Sequence, residues 1–71
     1  MTKAEALLIL DRCEAECQQL DSPSRFNPNL TMRQCIHIMR GGNYGDPVTP
    51  KKSARLEKNL LKIARECGVT P

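Results

Sequence analysis

TMRQCIHIMRGG, residues 31–42, is the stretch on which the fold reading turns. Laid on a helix, Met32, Cys35, Ile36 and Met39 recur at i, i+3, i+4 and i+7, the spacing of a core-facing stripe. Arg33, Gln34, His37 and Arg40 fall on the other side. Thr31 stands where an N-cap hydroxyl accepts from an orphan first-turn amide, and Gly41-Gly42 supply a stop compatible with left-handed backbone. The outward face carries two guanidiniums, an amide and an imidazole, and no carboxylate. Such groups pair with phosphate oxygens and with base edges in a major groove. The pattern therefore predicts a DNA-recognition helix; an ordinary amphipathic helix with a solvated basic face has the same pattern.

Around that stretch, 71 residues leave room for a single small domain spanning residues 1–71. Phe26 and Tyr44 are its only aromatics, so the core must come from Leu, Ile, Met, Ala and Cys. A net charge of +3 is mildly basic and permits nucleic-acid binding without demanding it. The placement of charge says more. Residues 1–21 hold Glu5, Asp11, Glu14, Glu16 and Asp21 against Lys3 and Arg12. Residues 22–55 hold Asp46 alone against Arg25, Arg33, Arg40, Lys51, Lys52 and Arg55. An acidic first helix followed by a basic middle suits a middle that faces an anion. The longest apolar run, Leu7–Leu10, is too short for a membrane span or an export signal, so a cytoplasmic chain with reduced thiols is expected.

In chain order, a first helix is expected from Lys3 to Leu20, opened by a Thr2/Glu5 capping box. Its stripe is Ala6, Leu10, Cys13, Cys17 and Leu20, widened by Leu7, while Leu8 and Ile9 sit partly off that face. A short second helix is expected from Pro23 to Phe26, with Ser22 as N-cap, Pro23 at N1 and Phe26 as its core anchor. Asn27-Pro28-Asn29 is turn chemistry, with Leu30 buried beneath it. The third helix covers Met32–Arg40. Residues 41–50, GGNYGDPVTP, read as a loop. The fourth helix has Thr49 as cap, Pro50 at N1, a stripe of Leu56, Leu60, Ile63, Ala64 and Cys67 with Leu61 beside it, and Gly68 as its stop. Lys51 and Lys52 at its N-terminus oppose the helix dipole, which suggests a local anion; two solvated lysines at a small cost fit equally.

The arrangement resembles the lambda-repressor-like (Cro/repressor-type) helix-turn-helix class, as found in small phage and bacterial regulators. SPSRF (22–26) is similar to the start of that class's second helix, CIHIMRGG (35–42) to the end of its recognition helix, and LLKIARECGVTP (60–71) to its closing helix. The likeness covers roughly residues 5–70. NPNLT (27–31) departs from it, standing where the class has a continuous helix and a glycine-containing turn. The resemblance implies an all-α, compact four-helix domain with a helix-turn-helix whose second helix is short. It also implies base-edge contacts from Arg33, Gln34 and His37, and phosphate contacts from Ser22, Ser24, Arg40 and Lys51. Physically, Arg33 suits a guanine and Gln34 an adenine, while Arg25 and Arg40 suit the backbone. Asn43, Tyr44 and Lys52 lie where phosphate contacts would follow.

Cys13, Cys17, Cys35, Cys67 and His37 invite a zinc reading, but beyond Cys13-x3-Cys17 they lack paired ligand spacing, and every cysteine lies on an apolar stripe. No metal, cofactor or small-molecule substrate is expected. No nucleophile–base set stands out, so catalysis is not expected either. The expectation is a sequence-specific, double-stranded DNA-binding transcriptional regulator of repressor type, a homodimer on a palindromic site. The rival is a small helical protein-interaction module, such as a phage-encoded inhibitor that sets its basic face on an acidic surface of a host protein.

Overall fold

Thr2 opens the first helix as expected: its hydroxyl accepts from the Glu5 N–H at 3.2 Å. The computed structural model describes residues 1–41 and 50–70, without the side chains at 50, 52 and 53. Among these the chain is all-α, with three helices: α1 (Lys3–Glu16), α2 (Met32–Arg40) and α3 (Pro50–Cys67). No helix is long and apolar enough to cross a membrane among the described residues.

The expected four helices become three because residues 23–26 are not helical. Pro23 instead forms an isolated antiparallel bridge with Thr31. The Ser24 N–H donates to the Leu30 carbonyl at 2.9 Å, which fixes an extended backbone where a first helical turn would have to start. Asn27, restricted by the following Pro28, begins a turn closed by Leu30 N–H on its carbonyl at 2.9 Å. The Asn27 side chain also accepts from Asn29 N–H at 3.2 Å. With the second helix goes the two-helix unit of the expected helix-turn-helix. Phe26, expected as a core anchor, is 40% exposed instead.

α1 also stops early, at Glu16 rather than Leu20, with Cys17 extended at φ −70°, ψ 126°. No glycine or proline marks this end. Tertiary bonds do: the Leu20 carbonyl accepts from Arg33 N–H at 2.9 Å and the Ser22 carbonyl from Met32 N–H at 3.1 Å. Thr31 and Gln34 add a full capping box. The four orphan amides at the start of α2 are thereby all satisfied within the fold.

The core is built from Ala6, Ile9, Leu10 and Cys13 of α1, the predicted Met32, Cys35, Ile36 and Met39 of α2, and Leu60, Ile63, Ala64 and Cys67 of α3. Leu56, Cys17 and Leu20 are partly buried against it, as is Leu30. Leu8 is exposed on the far side of α1, while its neighbour Ile9 is buried. α1 and α3 run in the same direction, since Met1 lies by Glu57 and Arg12 donates to the Thr70 carbonyl at 2.7 Å. Ala6 and Ala64, both fully buried, add little bulk to a core in which no aromatic is buried among the described residues.

Gly68 ends α3 as predicted, at φ +79°. Its N–H donates to the Arg65 carbonyl at 3.1 Å and the Val69 N–H to the Ala64 carbonyl at 2.9 Å, the paired bonds of a Schellman motif, with Val69 buried behind them. Gly41, by contrast, closes α2 in right-handed geometry, so the left-handed stop expected there is not used at that residue. A Cβ at position 68 would meet no atom within 4 Å, so substitution there acts through backbone strain alone. Gly68→Ala is expected to cost about 1–2 kcal/mol in urea unfolding, and Gly68→Asn less.

A candidate nucleic-acid interface

The outward face of α2 is less free than its sequence implies. Gln34 is committed at both ends of the capping box: its N–H donates to Thr31 Oγ1 at 3.2 Å and its Oε1 accepts from Thr31 N–H at 2.9 Å. Only the side-chain amide N–H groups remain for another partner. The Arg33 Nε donates to Asp21 Oδ1 at 3.2 Å in a well-exposed pair. Arg40 is drawn onto α1, where it bonds Asp11 at 2.8 Å and also Glu14, and its side chain is 29% exposed. Its Nε is buried without a hydrogen-bond partner among the described residues. His37 is exposed with no partner among the described residues, beside an exposed Ile38.

Of the other candidates, Ser22 is exposed, but its backbone N–H and carbonyl are used within the connection. Ser24 is corrected from a phosphate contact to an internal tie. It is 1% exposed, donates from Oγ to Glu66 Oε2 at 3.1 Å and accepts there from Phe26 N–H at 3.0 Å. The Arg25 N–H donates to Glu66 Oε1 at 2.7 Å while its side chain is exposed. Asn43 and Tyr44, like the Thr49 cap, lie outside the described residues, as does the Lys52 side chain.

Most of the positive charge outside ion pairs among the described residues lies on α3. Lys51, Arg55, Lys58, Lys62 and Arg65 follow one another at i, i+4, i+7, i+11 and i+14, all exposed, opposite the buried Leu60, Ile63 and Ala64. At 1.5 Å per residue this row is about 21 Å long. None of the five makes an ion pair among the described residues. Both acids of the helix are turned to other work, Glu57 beside the N-terminal amine at 3.8 Å and Glu66 under Ser24 and Arg25. Like charges at this spacing repel by about 0.2–0.5 kcal/mol per pair, a cost that a polyanion laid along the row removes. Only Lys51 of the row is among the sequence-based candidates. The periodic Lys/Arg spacing is present in the sequence, but the apolar stripe of the same helix masks it.

Cys13 and Cys67 lie close together in the core, with Cys17 beside them. Burial is the main force pushing both thiols above the ordinary thiol range. All four cysteines are free thiols, and no group of His, Cys, Asp or Glu among the described residues is placed to hold a metal ion. A scan against protein-family models and searches among curated proteins and solved structures find no match.

Two outcomes follow from these placements. Arg40→Ala is expected to lower stability in urea unfolding by about 1–2 kcal/mol, discounted for the exposure of its acidic partners. Because Cys13 and Cys67 ionise later in the folded chain than in the unfolded one, the native state holds more protons above the unfolded thiol value. Stability should then fall as pH rises beyond about 8.5, by up to about 1.4 kcal/mol per pH unit for each thiol. Urea midpoints between pH 7 and 10 measure it, and Cys67→Ala should flatten the decline.

Proposed function

We propose that this chain is a double-stranded DNA-binding regulator that grips the phosphate backbone through the α3 row. The observation that carries the reading is the run of five exposed cations from Lys51 to Arg65, none of them in an ion pair among the described residues. Cations spaced along a rigid helix neutralise successive phosphates and release their counterions, which supplies affinity without sequence preference. Base contacts, in this proposal, belong to α2. His37 is free, and the exposed Arg33–Asp21 pair is worth only about 0–1 kcal/mol, so a guanine edge or a phosphate can take the guanidinium over. Gln34 contributes through its amide N–H groups alone. A second copy belongs to the proposal, because one nine-residue reading helix buries too little surface for tight specific binding.

Anisotropy titration of a labelled duplex between 50 and 200 mM salt tests the grip. Neutralising five phosphates predicts a log–log slope of about −4.5, a loss of roughly 500-fold across that range. The double variant Lys58→Ala/Lys62→Ala should reduce the slope by about 2. Arg33→Ala should relax any sequence preference recovered from a random duplex pool. A slope near zero, or one untouched by the α3 variant, overturns the reading and favours an acidic protein surface as the partner of the same row.

A further inference from the structure

Phe26 is the chain's only phenylalanine, and the fold holds it at the surface rather than in the core. It lines an open cleft of about 480 Å³ with Arg25, Lys62, Arg65 and Glu66. That volume lies within the about 300–1,000 Å³ of small-molecule sites. The backbone that carries the ring is tied down. Glu66 of α3 accepts from Ser24 Oγ and from Arg25 N–H, and Ser24 Oγ in turn accepts from Phe26 N–H. Buried Ser24 thus pins the backbone that carries the ring to the helix that carries the cations. Three cations without ion pairs among the described residues line the cleft with the ring, against one carboxylate, and both oxygens of that carboxylate already accept a hydrogen bond.

We infer that this cleft is a binding site for an unpaired 5′-phosphorylated nucleotide, its base stacked on Phe26 and its phosphate held among Arg25, Lys62 and Arg65. A free phosphate would need the cations alone, and an apolar ligand the ring alone. A nucleotide uses both, since every base offers a π-face to an aromatic platform and its phosphate seeks guanidinium and ammonium groups. The site goes beyond the duplex grip of the α3 row, and a free nucleotide can fill it whether or not that grip holds. Two sources share the chemistry: a free mononucleotide, and the unpaired end of a DNA strand.

The chain lacks tryptophan, so the optical signal is best placed in the ligand. The probes are 2-aminopurine deoxyriboside 5′-monophosphate, a duplex with one 5′-phosphorylated 2-aminopurine overhang, and the same duplex with the 2-aminopurine paired internally. Stacking on Phe26 should quench the first two and leave the third unchanged. Phe26→Ala should weaken the quenched complexes roughly five- to a hundredfold while preserving the melting temperature and the salt slope of the blunt duplex. Phe26→Tyr should retain binding. Quenching of the mononucleotide identifies a free nucleotide as a sufficient ligand; quenching of the overhang alone identifies a strand end. Failure of both, or quenching that survives Phe26→Ala, overturns the inference. Loss of blunt-duplex binding together with intact mononucleotide quenching counts against the α3 grip and leaves the cleft standing.

Discussion

The hydrogen bonds of Glu66 to Ser24 and to the Arg25 amide decide how the rest of the chain is laid out. Between α1 and α2 the chain runs through residues 17–31 without a helix, and such a connection is ordered only if its backbone polar groups find partners. Glu66 provides the anchor from α3. Once Ser24 is buried on it, Pro23 meets Thr31, the Asn27–Leu30 turn closes, and the carbonyls of Leu20 and Ser22 arrive over the first amides of α2. A carboxylate that accepts from a hydroxyl and an amide is well satisfied while half-buried, which is why this polar tie is compatible with the thin core around it.

That core imposes the second constraint. With no aromatic ring buried among the described residues and two alanines fully buried, the three helices have little apolar area to spend. The α1–α2 contact is reinforced at its edge by Arg40, whose two terminal nitrogens reach Asp11 and Glu14. The choice has a consequence for function. A guanidinium shared between two carboxylates of α1 adds no net positive field at α2, so the excess charge of the chain is felt at α3 instead.

Much of this architecture was legible in the sequence. The α2 core stripe, both ends of α3 described here and the Thr31 cap follow from periodicity and end signals, because an amphipathic helix with a strong stop needs no distant partner to be recognised. The region from Cys17 to Phe26 was not legible. Gln18, Gln19 and Leu20 continue a helix as well as they leave one, and SPSRF carries every local mark of a helix start. What overrides them is a carboxylate 42 residues away from Ser24, which no local pattern contains. The Thr31-x-x-Gln34 capping box was present in the sequence, and its reading removes Gln34's carbonyl from the set of base-contacting groups. Ion-pair partners such as Arg40 with Asp11 are likewise long-range and invisible to spacing.

The same bonds bear on how a helix of this kind meets an anion. A recognition helix docks with its N-terminal end toward the duplex, where free amides and the positive end of the dipole help hold a phosphate. At α2 those amides are already bonded to Leu20, Ser22 and Thr31, so that end has no backbone donors left to offer. α3 differs in kind: its attraction for an anion comes from side chains along its whole length, not from its terminus. Binding through such a row tolerates variation in the angle of approach and in which phosphates are met, since each cation sits on a flexible stem. Phe26, whose backbone N–H is held by Ser24, shares a cleft with Lys62 and Arg65 at the C-terminal end of that row.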